Sequence, residues 1–265
     1  TNFALYTSDV ETAGPVAEPV PPVPTLPVAT PIEAPPPREP RFIAIYLDNE
    51  NILPFNRNRI LDDVIEFAEK QVTPEDQVMV VSYQRTLKIL QPFTSDSEEI
   101  AAALRRTKRF VGGRPDLVSS RKRVEDYISE NYEKSNTLQR ALDEVQAFSR
   151  EQRNNLTFTV RAIQELVGMM SGLPGRKSIL YVSDGLPMSP GLELYYELQD
   201  RYRVPSILTQ ARDYDSTDLF RGLVTTASAA GVRFYTLDAR GLEANLGIEA
   251  ENRGSRSTLA ASFST

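Results

Sequence analysis

Three aspartates stand directly after short apolar runs, and that position gives them chemical interest. Asp48 follows Phe42-Ile43-Ala44-Ile45-Tyr46-Leu47, Asp184 follows Ser178-Ile179-Leu180-Tyr181-Val182-Ser183, and Asp238 follows Val232-Arg233-Phe234-Tyr235-Thr236-Leu237. Runs of this length, rich in β-branched and large residues, read as strands buried on both faces. When such strands are parallel and flanked by helices, their carboxyl ends share one edge of the sheet, where α/β proteins keep their chemistry. Two carboxylates at such an edge do general acid and base work only if their environments drive their pKa values apart, and a sequence does not display that separation.

Composition removes most other chemistries. The chain has no histidine and no cysteine. Disulfides, thiolate metal sites, a cysteine nucleophile and a Ser-His-Asp mechanism are therefore excluded, and the commonest transition-metal ligand is missing. Gly112-Gly113 is followed by no Gly-Lys-Ser/Thr, and Arg176-Lys177 precedes a strand, so no phosphate loop is present. No enzyme is expected. The formal charge of -6, from 36 acidic and 30 basic side chains, argues against nucleic acid as a partner. A basic stretch from Arg105 to Arg123 is followed by Glu125, Asp126, Glu130 and Glu133, and adjacent blocks of opposite sign suit pairing between copies of the protein. No apolar run is long enough to span a membrane.

The elements that position the aspartates follow from periodicity. After the first strand, Ile60, Leu61, Val64, Phe67 and Ala68 recur at helical spacing. Gln77 to Gln84 and Thr86 to Phe93 read as two strands whose short connection demands antiparallel pairing. Ser95-Asp96-Ser97-Glu98 offers a capping box for a helix over 97–109. Helices are expected over 117–134 and 136–171. The second carries Leu138, Leu142, Val145, Leu156, Val160, Ile163 and Val167 in steps of three or four, broken once around Gln152 to Asn155. At about 1.5 Å per residue it exceeds about 50 Å, longer than a sheet, so part of it is expected to project. Further helices are expected near 191–203 and over 216–230, and the stretch after Gly241 has no convincing strand. Tyr195, Tyr196, Tyr202 and Tyr214 suit either partner contact or half-buried core positions. This alternation gives an α/β fold, a doubly wound, mainly parallel sheet with one antiparallel strand.

Ahead of this domain, eleven of the 19 prolines lie between Pro15 and Pro40, interleaved with Val, Ala and Glu. That composition favours extended polyproline II, reaching about 80 Å at about 3.1 Å per residue. It reads as an arm that docks on its own domain or on a neighbouring molecule. Phe3 to Val10 alternates as a strand without a sequential neighbour. The chain begins at Thr1 and reads as a trimmed or processed part of a longer protein.

The order of elements, together with five stretches, resembles the von Willebrand factor type A domain, most closely the bacterial VWFA-related domains of exported proteins. The stretches are the first strand ending in Asp48, the run Asp76 to Tyr83, Gln91 to Asp96, Leu173 to Gly185, and Gly231 to Leu242. The resemblance implies the same α/β fold with a Rossmann-like sheet, an extracellular or periplasmic location, and protein partners. It also implies a divalent-cation site of the pattern Asp-x-Ser-x-Ser, with a threonine from a middle loop and an aspartate after the fourth strand. Here the first and last positions are Asp48 and Asp184, while the serine positions are Glu50 and Ile52. The nearest match to the threonine loop is Gly112-Gly113-Arg114-Pro115. Isoleucine ligates nothing and arginine repels a cation, so the metal set reduces to a degenerate Asp48, Glu50 and Asp184. Two readings follow. In the leading one no cofactor is bound, Arg114 or another basic side chain neutralises the carboxylates, and the chain is a non-catalytic interaction or assembly module. In the other, Mg²⁺ or Ca²⁺ at the Asp48/Asp184 edge serves adhesion or ligand binding. The expected organisation is an N-terminal strand over 1–12, the remnant or end of a preceding β-domain; a proline-rich arm over 13–41; the α/β domain over 42–245 with a helical insertion at about 115–172; and a tail over 246–265. Identical subunits are the expected partners of residues 1–40.

Overall fold

Each apolar run of the domain becomes a strand. In the computed structural model, which describes residues 40–113 and 115–241, β1 (Arg41–Asp48), β2 (Asp76–Gln84), β3 (Thr86–Thr94), β4 (Arg176–Ser183) and β5 (Val232–Asp238) form one sheet in the order β3-β2-β1-β4-β5. β1 pairs in parallel with β2 and β4, and β4 with β5; β3 is antiparallel to β2, as its short connection requires. That turn holds Arg85 in the left-handed region at φ 60°. The N-terminal strand over 1–12, the arm before Pro40, Arg114 and the tail after Gly241 lie outside the described residues.

The helices are α1 (Pro54–Gln71), α2 (Ser97–Thr107), α3 (Pro115–Asn131), α4 (Leu138–Ser171), α5 (Leu192–Tyr202), α6 (Ile207–Ala211) and α7 (Thr217–Ala229), of which α1, α2, α4 and α7 flank the sheet. α2 is capped by Asp96 and not by Ser95, the first residue of the expected capping box: the Asp96 carboxylate accepts the backbone N–H groups of Glu98 (2.8 Å) and Glu99 (3.4 Å). Because successive strand residues face opposite ways, β1 feeds two cores. Ala44 and Tyr46 pack with residues of α4 and α7, and Ile45 and Leu47 with residues of α1 and α2.

The first half of α4 extends beyond the sheet, as its length requires, but into a third core. The first half of α4 contributes Leu142, Val145 and Phe148 to a cluster with Val124 and Ile128 of α3, Leu194, Tyr195 and Leu198 of α5, and Ile207 of α6. The second half, from Leu156 to Met170, belongs to the sheet core. The break in apolar spacing near 152–155 is where α4 passes from one core to the other. α5 enters this subdomain through Gly191, at φ +77°, where a Cβ would stand 2.0 Å from Ser149 Oγ. Tyr195 is fully buried here and Tyr196 is 54% exposed, so neighbouring tyrosines divide between core and surface.

The basic stretch finds acids within its own chain. Arg105 pairs with Glu69, Lys108 with Asp62, Arg121 with Glu125 and Glu193, and Lys122 with Asp126. These are surface pairs that contribute little stability.

Candidate functional site

β1 delivers Asp48 to the carboxyl edge of the sheet, but its carboxylate faces inward. The residue is fully buried. Its Oδ1 accepts the backbone N–H groups of Glu50 (3.2 Å) and Asn51 (3.1 Å), and its Oδ2 accepts the Asn51 amide (2.9 Å) and the Tyr181 hydroxyl. A carboxylate has about four lone-pair positions, and here each meets a donor from the protein. Burial nevertheless pushes the Asp48 carboxyl up to about 6, against these donors. Burial likewise pushes the Tyr181 hydroxyl well above its ordinary value, so it keeps its proton and donates.

Tyr181 reaches Asp48 through strand register. It lies opposite Tyr46 on the neighbouring strand, and Tyr46 and Asp48, two residues apart, share a face. Tyr46 stands between Tyr83 and Tyr181, with ring centroids at 6.3 and 5.4 Å. The Asn51 amide also donates to Thr159 Oγ1 of α4 (3.2 Å), tying the loop to the helix above it.

The loop after β1 is held as firmly from the other side. Asn49 is buried; its amide donates to Ser82 Oγ (2.6 Å), and its side-chain oxygen accepts from Arg57 (3.1 Å). Arg57 of α1 is 1% exposed and donates as well to the carbonyls of Lys108 (3.2 Å) and Phe110 (2.8 Å). The Asn49 carbonyl accepts the N–H of Gly113 (2.7 Å) and the Asn51 carbonyl that of Asp184 (2.8 Å). One loop thus locks the ends of β1, β2 and β4 and the segment after α2 together.

Of the residues singled out from the sequence, Asp184 is half-buried. Its oxygens accept the Leu53 N–H (2.8 Å) and the Asn56 amide (3.0 Å). Burial raises its pKa, opposed by those two donors and by Arg240. Asp238 is exposed and chelates Arg240 through Nε (3.0 Å) and Nη2 (2.8 Å). Glu50 is half-buried and lines a cleft of about 880 Å³ with Tyr83, Gln84, Glu151 and Phe158. Ile52, at the second serine position, is 2% exposed and packs in the core beneath α1 and α2.

The cation implied by the resemblance can be tested against these donors. Mg²⁺ and Ca²⁺ need free oxygen lone pairs converging on one point. Asp48 offers none in this arrangement and Ile52 offers no oxygen, while each oxygen of Asp184 accepts a single donor. Asp48 and Ile52 therefore supply no ligand to a chelated cation in this arrangement. The positive charge nearest Asp184 comes from Arg240, while Arg114 lies outside the described residues. Sequence reasoning missed Asn49, Asn51, Arg57 and Tyr181. The asparagines adjoin Asp48 and were visible as capping-type residues, but nothing local marked Arg57 or Tyr181 as their partners.

A family model for the von Willebrand factor type A domain matches residues 47–137. No curated protein matches the chain. Among solved structures, the chain is similar to three N-terminal domains of the type V pili tip protein Mfa5 from Porphyromonas gingivalis. That match has 14% identity and a TM-score of 0.31, over 56% of this chain and 20% of that one. The chain therefore spans a small part of the length of that structure.

Proposed function

We propose that the chain, whose residues 47–137 match a family model for the von Willebrand factor type A domain, is an exported, non-catalytic protein-interaction and assembly module that works without a resident cation. The observation that carries this reading is the Asp48 carboxylate, whose four acceptor positions are filled by Glu50, Asn51 and Tyr181. A cation would have to displace buried donors whose desolvation cost then goes uncompensated. The edge that in this family recruits a metal serves here as a structural lock, and partner contact passes to the surface, to the subdomain of α3, α5 and the first half of α4, and to the arm before Pro40. The lack of histidine and cysteine, and the internal pairing of Asp48, Asp184 and Asp238, support a role without catalysis. Identical subunits are the partners this reading assigns to residues 1–40.

Calorimetric titration with Mg²⁺, Ca²⁺ and Mn²⁺ tests the absence of a cation. The expected result is no heat beyond dilution for any of the three. A millimolar or tighter isotherm that disappears in Asp184→Ala overturns the reading in favour of cation-dependent adhesion through Asp48, Glu50 and Asp184.

A further inference from the structure

Among the described residues, the two faces of the sheet are covered unequally. α4 and α7 pack against one face with residues from β1, β2, β4 and β5. On the other face, α1 and α2 pack mainly with β1 and β2, and beside them a groove of about 750 Å³ runs along β4 and β5. Its apolar lining includes Leu180 and Leu237, and two aromatic rings border it: Phe67 of α1, 40% exposed, and Tyr235 of β5, 57% exposed. Arg176, Lys177 and Arg233 line it too, against one acidic residue, Asp63, and neither arginine makes an ion pair among the described residues. A parallel sheet normally has both faces covered, so an exposed apolar face with aromatic and cationic borders calls for an occupant.

We propose that this groove receives an acidic, proline-rich segment, supplied by residues 13–39 of a second copy of the chain. The proposal rests on the assembly reading above and names the surface that the arm would engage. Three features select this occupant. Extended proline-rich segments dock on aromatic-lined grooves because they are already ordered and pack prolines against ring faces. Residues 13–39 contain Glu18, Glu33 and Glu39 against a single basic residue, Arg38, which complements Arg176 and Arg233. The arm's attachment point also fits. Pro40 lies at the Arg176 end of the groove, its carbonyl accepting the Arg176 N–H at 3.1 Å, and Gly175 (φ +76°) approaches it so closely that a Cβ would meet that carbonyl oxygen at 2.4 Å. From Pro40, β1 runs in the same direction as β4 and β5. The run Pro35-Pro36-Pro37 favours an extended chain, a form suited to reaching a second copy.

Light scattering of the full chain over a range of concentrations, combined with charge reversal, tests this. Self-association is expected, weakened about tenfold or more both by Arg176→Glu with Arg233→Glu and by Glu18→Arg with Glu33→Arg. Combining all four substitutions in one chain is expected to restore it, which a merely misfolded variant would not do. Because the chain has no cysteine, mixing a Tyr235→Cys variant with a Val23→Cys variant is expected to yield a disulfide between copies. A chain that is monomeric at every concentration overturns both the groove and the assembly reading. Association that is abolished by deleting residues 1–40 yet indifferent to the groove substitutions overturns the groove alone. A monomer in which Tyr235→Cys instead links to a cysteine placed after Gly241 overturns it by assigning the groove to the chain's own continuation.

Discussion

Replacing Tyr181 by phenylalanine removes one hydroxyl from the Asp48 lock and leaves the ring, which packs 5.4 Å from Tyr46, in place. The cost is expected to depend on pH. A hydrogen bond to a charged acceptor is worth about 1.5–3 kcal/mol and a neutral one about 1 kcal/mol. Asp48 titrates near 6 in the folded protein against an ordinary value of 3.8. Because the folded value is raised, this group's stabilising contribution is full below about 4 and is lost as pH rises through about 6. At pH 8 the carboxylate is charged and needs the Tyr181 donor, so the substitution is expected to cost about 2 kcal/mol. At pH 5 most Asp48 is protonated in the fold, and the expected cost falls to about 1 kcal/mol. The difference of about 1 kcal/mol corresponds to a further upward shift of about 0.7 units in the Asp48 pKa of the variant. Urea unfolding of both proteins at pH 5 and pH 8, with unchanged denaturant dependence, measures it directly. Equal losses at the two pH values, or a loss below about 0.5 kcal/mol at pH 8, would refute the account of Asp48 as a buried carboxylate sustained by internal donors.

Two further substitutions probe the same edge. Ile52→Ser restores a family serine at a position that is 2% exposed and packed in the core; it is expected to cost about 3 kcal/mol in urea unfolding and to gain no Mg²⁺ binding by calorimetry, and a variant that binds Mg²⁺ at full stability would contradict the lock. Arg57→Lys keeps a charge, but an ammonium does not span Asn49 Oδ1 and the carbonyls of Lys108 and Phe110 as the guanidinium does; a loss of about 2 kcal/mol is expected in thermal or urea unfolding, and an unperturbed midpoint would show that the fork geometry is unimportant.

Much of the fold was legible because its signals are local. The strand ending at Asp48, the antiparallel turn at Arg85 and the start of the helix after Asp96 each follow from residues within a few positions of one another. The break in α4 near Gln152 was also visible, but its meaning was not: nothing in a helical pattern tells whether the half before the break meets solvent or a second core. The covering residues, Ile128, Leu194 and Ile207, come from three other helices. The same limit applied at the site. Asp48, Asp184 and Asp238 were placed at one edge by strand order, whereas the identity of the groups bonded to them was hidden.

The sequence by itself determined the alternation of strands and helices, the absence of histidine and cysteine chemistry, and the arrival of aspartates at the carboxyl edge. These follow from composition and from hydrophobic periods of 2 and 3.6 residues, both properties of the chain read along its length. Only the tertiary structure decided that Asp48 is consumed rather than offered. Its acceptor positions are filled partly by its own loop and partly by Tyr181, 133 residues away, brought there by the register of two neighbouring strands. Occupancy of a lone pair is a property of neighbours in space, and for that reason the donors around Asp48 could not be read along the chain.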